Sequence, residues 1–162
     1  MKLLVLHHAS EPNDYQLSIN SGGEPEQHWT KENSDIIKTL PFAGDFGCAD
    51  LGLEFFHWPD QKILPHTTSL KRGRSYKLLE STHPGPSTNG YSRVLSWIDT
   101  ETGGILEAEA YDVDGRLLKD FAPKSFKKVD GQWQLQEMEI RNVQTGSRTR
   151  LEFDLKKSPT GE

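Results

Sequence analysis

The sequence predicts a mainly β protein, built as one domain around an antiparallel sheet. Three observations support this fold class. Turn signals recur at short intervals after residue 73, apolar and polar side chains alternate between the turns, and only one stretch has a helical pattern. The chain has 162 residues, which suits a single domain spanning 1–162. Only 33% of the residues are apolar, so the core must be thin.

The first third of the chain combines short strands with loops. Residues 3–6 are apolar and predict a first strand, and residues 15–19 alternate between apolar and polar side chains, which indicates a half-buried strand. Residues 27–31 are expected to be the hairpin partner of this second strand. The run at 3–6 is shorter than the 7–15 apolar residues, roughly, of a secretory signal, so we expect no export signal in this sequence.

One helix is predicted, over residues 48–58. Leu51 and Phe55 lie one turn apart within it, and Pro59 follows it and prevents its continuation. Three of its last four residues are aromatic. The helix therefore has an apolar side that can pack against a sheet.

From residue 73 onward the pattern predicts a meander of six antiparallel strands. Asp-Gly pairs at 114–115 and 130–131 predict two-residue hairpin turns, because these residue types tolerate the positive φ angles that such turns require. In the last strand apolar and charged residues alternate, so one face of the sheet is dry and the other is wet. The predicted strands are 73–82, 91–99, 105–112, 116–128, 132–142 and 147–156.

The predicted elements do not supply enough structure to cover the dry face of this sheet. A sheet of this size needs a second layer, and one short helix covers only part of it. The sheet must therefore close into a barrel, pair with another subunit, or keep an open apolar groove that binds a hydrophobic ligand. The candidate ligand-binding residues of such a groove are Leu95, Trp97, Leu151, Phe153 and Leu155, with Phe55, Phe56 and Trp58 as its lid.

Charge and motif content argue against several other classes of function. The net charge of −5 argues against general nucleic-acid binding and against adhesion to anionic lipid headgroups, and no apolar run approaches the roughly 18 residues of a transmembrane helix. The six histidines form no metal-binding spacing, and neither a nucleophile elbow nor a phosphate-binding glycine loop is present. We therefore expect no catalytic residue, no metal and no cofactor. The single cysteine, Cys48, is expected to be a buried small side chain.

Two regions of the sequence carry a resemblance to a known family. Residues 45–58 contain an Asp-Phe pair followed by an Asp-Leu pair. This region resembles the Asp-Phe and Asp-Leu segment of the outer-membrane lipoprotein-sorting proteins, the LolA/LolB-like superfamily. Residues 93–151 resemble its second half. The pieces that carry this second likeness are residues 94–99, 110–119, 129–133 and 142–149. Together the resemblance covers about residues 40–156.

The resemblance implies a curved antiparallel sheet that forms an incomplete, or half, β-barrel with one or a few short helices on its concave face. It also implies a protein of the bacterial periplasm that binds or carries a lipid or the acyl chain of a lipoprotein and is not an enzyme. Such proteins usually begin with an export signal and an amphipathic helix, and neither is evident here. The alternative is a structural or partner-binding module whose apolar face is covered by another envelope protein or by a homodimer.

Overall fold

The computed structural model of the chain describes residues 2–6, 8, 11–18, 34–65, 70–85, 90–153 and 155. Within these residues antiparallel strands predominate, accompanied by two short helices and one 3₁₀ turn. The first elements are β1 (Lys2–Leu6), β2 (Asp14–Ser18), α1 (Ser34–Lys38), β3 (Pro41–Ala43), β4 (Phe46–Gly47), α2 (Cys48–Leu51), the 3₁₀ turn Glu54–His57 and β5 (Asp60–Leu64). The later strands are β6 (Leu70–Lys71), β7 (Arg74–Thr82), β8 (Arg93–Asp99), β9 (Ile105–Tyr111), β10 (Leu117–Val129), β11 (Gln132–Asn142) and β12 (Arg148–Glu152).

The main sheet contains eight strands within the described part of the chain. Its order is β12-β11-β10-β9-β8-β7-β5, and β6 pairs with one end of β7. The six strands from β7 to β12 are consecutive neighbours, which confirms the predicted meander. The sheet is large and curved and does not close, so the half-barrel prediction is also confirmed.

One face of this sheet, called the inner face below, carries the core. In the register of β8 and β9, Val94 lies opposite Ala110. Ser96 lies opposite Ala108, which in turn pairs with Phe121 of β10. All five side chains are buried. Because four of them are small, bulky side chains can pack on top of them, and the buried residues that do so are Phe46, Phe55, Trp58 and Tyr91.

The opposite, outer face is polar and carries ion pairs between neighbouring strands. Lys71 Nζ lies 3.2 Å from a carboxylate oxygen of Glu107, and Lys124 Nζ lies 2.9 Å from one of Glu139. Both glutamates are partly exposed, so each pair contributes at most about 1 kcal/mol. This face therefore corresponds to the wet face that the alternation predicts.

The β1–β2 hairpin forms a second, smaller core with α1 and α2. Its fully or nearly buried members are Tyr15, Leu17, Ile37 and Cys48, so the expected burial of Cys48 is confirmed. The Tyr15 hydroxyl donates to Glu54 at 2.9 Å, and Lys38 Nζ lies 2.7 Å from the same carboxylate. These contacts attach the hairpin to the 3₁₀ turn, which packs on the main sheet.

The prediction of one continuous helix over residues 48–58 is wrong. The helix α2 ends at Leu51, and Leu53 has a left-handed backbone with φ of 48° before the 3₁₀ turn begins. The break lies where the side chain of Tyr15 crosses the backbone: a Cβ atom on Gly52 would lie 1.8 Å from the Tyr15 hydroxyl. Tertiary packing therefore divides a segment whose local pattern is helical.

One strand prediction is not tested, and two others need correction. β2 pairs with β1, and residues 27–31, its expected hairpin partner, lie outside the described residues. The last strand ends at Glu152, earlier than predicted. Strand β5 was not predicted, because four of its five side chains are exposed and show no alternation. The main sheet thus gains an edge strand and has a shorter last strand than expected.

The two Asp-Gly pairs behave differently. At Asp130-Gly131 both φ angles are positive, 50° and 84°, as a two-residue hairpin turn requires. At 114–115 only the glycine has a positive φ, and the Asp112 side chain accepts hydrogen bonds from the backbone of Asp114 and Arg116. The connection between β9 and β10 is therefore a longer loop than predicted.

We expect Gly52→Ala to lower the free energy of unfolding by about 1–3 kcal/mol, because the new methyl group must displace the buried Tyr15 ring. Chemical denaturation of the variant measures this loss. Gly85→Ala is the matched control, since nothing lies within 4 Å of a Cβ atom there, and it should change stability by less than about 0.5 kcal/mol. Equal stability of the two variants would contradict the close approach at Gly52.

Candidate functional site

An open apolar cavity of about 630 Å³ lies on the inner face of the sheet. This volume falls within the range of about 300–1,000 Å³ that is common for small-molecule sites. No charged or polar side chain is among the described residues that line it. The lining residues are Leu53, Phe55, Phe56, Leu79, Ile98, Gly103, Gly104, Ile105, Ala108, Phe121, Pro123, Phe126, Trp133, Leu135 and Met138.

The floor of the cavity comes from alternate residues of neighbouring strands. Leu79 pairs with Ser96 across β7 and β8, and Phe121 pairs with Ala108 across β10 and β9. These positions share the inner face because successive residues of a strand point to opposite faces. The floor is therefore apolar although the same strands carry glutamates on their outer face.

Two irregularities in β10 and β11 extend this floor toward the open end. The register between these strands shifts between Pro123 and Ser125 and again between Ser125 and Phe126. Each shift inserts one extra residue into one strand, which reverses which side chains face inward. As a result Phe126 and Leu135, a cross-strand pair, line the cavity together with Met138 and Pro123.

The roof of the cavity is the segment that follows α2. Leu53, Phe55 and Phe56 line the cavity from this segment. The Phe55 ring centroid lies 4.6 Å from that of Phe56 and 6.2 Å from that of Phe121, so roof and floor are in contact at this end. The left-handed residue Leu53 turns the chain so that both phenylalanines face the sheet.

A buried carboxylate fixes this roof to the sheet. The side chain of Asp50 is 1% exposed and accepts hydrogen bonds from the Tyr91 hydroxyl at 2.9 Å and from the Gly47 backbone at 2.8 Å. The Lys119 ammonium lies 3.1 Å from the same carboxylate and also donates to the Asp45 backbone carbonyl at 2.7 Å. One aspartate thus connects α2 to strand β10 and to Tyr91, two residues before β8.

Burial and the neighbouring Asp50 carboxylate raise the pKa of Tyr91 well above its usual range. Tyr91 is therefore protonated at neutral pH and acts as a hydrogen-bond donor to Asp50. The arrangement is structural, since this hydroxyl and the Lys119 ammonium are both engaged with the carboxylate.

Asp45 makes a second attachment, to the last strand. Its carboxylate accepts hydrogen bonds from the hydroxyls of Ser147 at 2.6 Å and Thr149 at 2.9 Å. The preceding Gly44 has a φ of +54°, and a Cβ atom there would lie 2.2 Å from the Thr149 hydroxyl oxygen. The Asp-Phe and Asp-Leu pairs singled out in the sequence are therefore the residues that hold the roof in place.

The structure brings only some of the expected groove residues to the cavity. Phe55 and Phe56 line it. Trp58 is buried in the core cluster, with its ring 5.2 Å from that of His83, and Leu151 packs against the same cluster from β12. Phe153 and Leu155 line a separate, smaller cavity of about 390 Å³.

Leu95 and Trp97 lie on the outer face, away from the cavity. In the pairing with β9 they stand opposite Glu109 and Glu107, and Lys71 Nζ lies 4.1 Å from the centroid of the Trp97 ring. Residues 91–99 are apolar on both faces, so their own pattern does not reveal the inner face. The alternation of glutamate with Ala108 and Ala110 in β9 is the signal that does, once the two strands are paired.

Apart from Leu53 in the roof, the cavity-lining residues that the sequence analysis missed come from strands whose inward face the sequence did not reveal. They are Leu53, Leu79, Ile98, Ile105, Phe121, Pro123, Phe126, Trp133, Leu135 and Met138. The described residues also contain no group of three or more histidine, cysteine, aspartate or glutamate side chains placed to hold a metal ion. Among the described helices, none has the length and apolar character that crossing a membrane requires.

An open curved antiparallel sheet with a short helical roof over an apolar cavity defines a LolA-like half-barrel. A family model described as "-like: Uncharacterized protein" matches residues 41–158, and because this is most of the chain, the chain belongs to that family. No curated protein matches the chain.

Solved structures share this fold. A domain from Vibrio parahaemolyticus that is named for outer membrane lipoprotein sorting is 24% identical, with a TM-score of 0.72 over 99% of this chain and 66% of its own. A DUF1329 family protein from Desulfovibrio piger is 21% identical, with a TM-score of 0.71 over 99% of this chain and 65% of its own. A LolA superfamily protein from Nitrosomonas europaea is 19% identical, with a TM-score of 0.58 over 95% of this chain and 67% of its own. The chain thus spans about two thirds of the length of these structures, and at these identities the likeness concerns the fold.

We expect Asp50→Asn to lower the free energy of unfolding by about 3 kcal/mol, because it leaves the partly buried Lys119 ammonium without its counter-charge. Urea denaturation measures the loss. Asp120→Asn is the matched control: Asp120 accepts from Arg141 Nε at 2.7 Å near the surface, so its removal should cost at most about 1 kcal/mol. If both variants lost the same stability, Asp50 would not be the attachment point of the roof.

Proposed function

We propose that the chain binds the acyl chain of a lipid or lipoprotein in the inner-face cavity and acts as a non-catalytic carrier in the bacterial cell envelope. The observation that carries this proposal is the lining of the cavity, which is apolar at every described position. The solved relatives support it, since two of them are named for lipoprotein sorting or for the LolA superfamily. We further propose a periplasmic location, which the same likeness supports.

The energetics of such binding need no hydrogen bond and no reaction step. Moving hydrocarbon from water into an apolar site is favourable by about 0.8 kcal/mol for each CH₂ group buried. The cavity offers apolar side chains on both its floor and its roof, so a flexible chain can be covered on two sides. We infer that Phe55, Phe56 and Leu79 contact the ligand.

The alternative is a module whose inner face is covered by another protein or by a second copy of this chain. One observation favours this alternative: the cavity is open at Phe126 and Trp133, which are 52% and 70% exposed. Native mass spectrometry separates the two cases. A bound fatty acid or phospholipid on a monomer supports the carrier, and a ligand-free dimer supports the module.

The affinity for saturated fatty acids should rise by about fourfold for each CH₂ group added, until the cavity is full. This factor is the burial energy of one CH₂ group expressed as a ratio of dissociation constants. Displacement of a fluorescent fatty acid by acids of increasing length measures it. Affinity that is independent of chain length would contradict an acyl-binding cavity.

Leu79→Gln should weaken fatty-acid binding by at least about tenfold, because it places an amide without a partner against the hydrocarbon chain. The matched control is Leu78→Gln. Leu78 is the adjacent residue of β7, is equally half-buried, and pairs with Trp97 on the outer face. Titration of both variants with hexadecanoic acid should show near-normal affinity for Leu78→Gln. Equal losses in the two variants would indicate a general effect on the fold instead of a ligand contact.

A further inference from the structure

The hairpin of β10 and β11 extends beyond the rest of the sheet. Strand β9 pairs with β10 only as far as Phe121. Strand β12 pairs with β11 as far as Glu137, and the Phe153 N–H just after β12 donates to the Gln136 carbonyl. From Lys124 to Leu135 the two strands therefore pair only with each other, as far as the described residues show. We call residues 124–135 the arm; its turn is Asp130-Gly131.

The arm exposes aromatic side chains at the mouth of the cavity. Trp133 is 70% exposed, more than any other large hydrophobic side chain described, and Phe126 is 52% exposed. Both also line the cavity. A tryptophan in this situation combines a large apolar ring with a polar N–H group, which is the combination that favours the interface between membrane and water.

The arm is also positively charged, although the chain as a whole has a net charge of −5. It contains Lys124, Lys127 and Lys128 against the single acidic residue Asp130. Lys124 is paired with Glu139, whereas Lys127 and Lys128 are exposed and form no ion pair with any described residue. As consecutive residues of a strand they point to opposite faces, so each side of the arm presents a cation.

We propose that the arm docks the protein on an anionic lipid membrane, with Trp133 and Phe126 entering the interfacial layer and Lys127 and Lys128 contacting the headgroups. Charge complementarity between these lysines and anionic headgroups, together with the exposed ring of Trp133, favours a membrane as the partner, because each lysine near an anionic lipid surface adds attraction and tryptophan prefers the interface between membrane and water. Docking in this way places the mouth of the cavity against the hydrocarbon layer. An acyl chain can then pass between bilayer and cavity along Phe126 and Trp133.

This inference goes beyond the proposed function and is tested separately from it. The wild-type chain is sedimented with vesicles of phosphatidylcholine and phosphatidylglycerol, and with vesicles of phosphatidylcholine alone. Binding is expected to the anionic vesicles and to weaken as salt is added, because salt screens the attraction. Absence of binding to anionic vesicles at low salt would overturn the proposal.

The double variant Lys127→Gln, Lys128→Gln should bind anionic vesicles about 25-fold more weakly, which is about fivefold for each lysine. The matched control is Lys62→Gln, Lys77→Gln. It removes the same charge from exposed positions on β5 and β7, and it should stay within about twofold of the wild type. Equal weakening of both double variants would mean that net charge acts without the arm, and that result would overturn the proposal.

Tryptophan fluorescence reports the aromatic contact. The emission of the wild type should shift to shorter wavelength when anionic vesicles are added. The shift should disappear in Trp133→Phe. It should persist in Trp97→Phe, because Trp97 lies on the outer face. A shift that survives in Trp133→Phe would exclude the arm as the contact.

Fatty-acid binding without vesicles distinguishes the two proposals. The lysine variants should bind hexadecanoic acid as the wild type does. If the chain binds vesicles through the arm but binds no fatty acid, the carrier function is contradicted and the docking proposal stands. If it binds fatty acid but no anionic vesicles, only the docking proposal is contradicted.

Discussion

The buried carboxylate of Asp50 is the interaction on which the rest of the site depends. A charged group that is 1% exposed is tolerated only when donors surround it, and Gly47, Tyr91 and Lys119 supply them from three parts of the chain. Their geometry determines where α2 lies on the sheet. The roof follows α2 directly, so the position of the cavity is set by a polar contact even though the cavity itself is apolar.

The shape of the cavity follows from the sizes of side chains along the sheet. Where Val94, Ala108 and Ala110 form the floor, the bulky residues of the roof fill the space and produce a packed core. Toward β10 and β11 the roof ends: Met138 is still buried in the core cluster, whereas Leu135 is only partly buried and lines the cavity. The shifts in register near Ser125 then continue the apolar surface outward. One face thus changes from core to cavity to exposed arm along its length.

The sequence contains strong information about the meander and weaker information about which face is which. Asp-Gly turns and alternation predict β7 to β12, because both signals are local. The sequence does not reveal that Trp97 lies on the outer face, because β8 is apolar on both faces. Only the pairing of Trp97 with Glu107 in β9 shows its orientation. The local pattern of residues 48–58 predicts a continuous helix. The Tyr15 side chain that divides this segment at Gly52 comes from a strand distant in the sequence, so the local pattern does not show it. No local pattern encodes the two shifts that turn Phe126 and Leu135 inward.

An apolar cavity that stays open has no benefit for folding. A chain with only 33% apolar residues would gain stability by burying them against one another, yet here large side chains remain half-buried around empty space. The polar interactions that fix the roof hold it above the sheet instead of letting it collapse onto Leu79 and Ile98. Because exposed aromatic side chains at the mouth also favour aggregation, the open cavity and its exposed rim support the proposal that a hydrophobic ligand enters there.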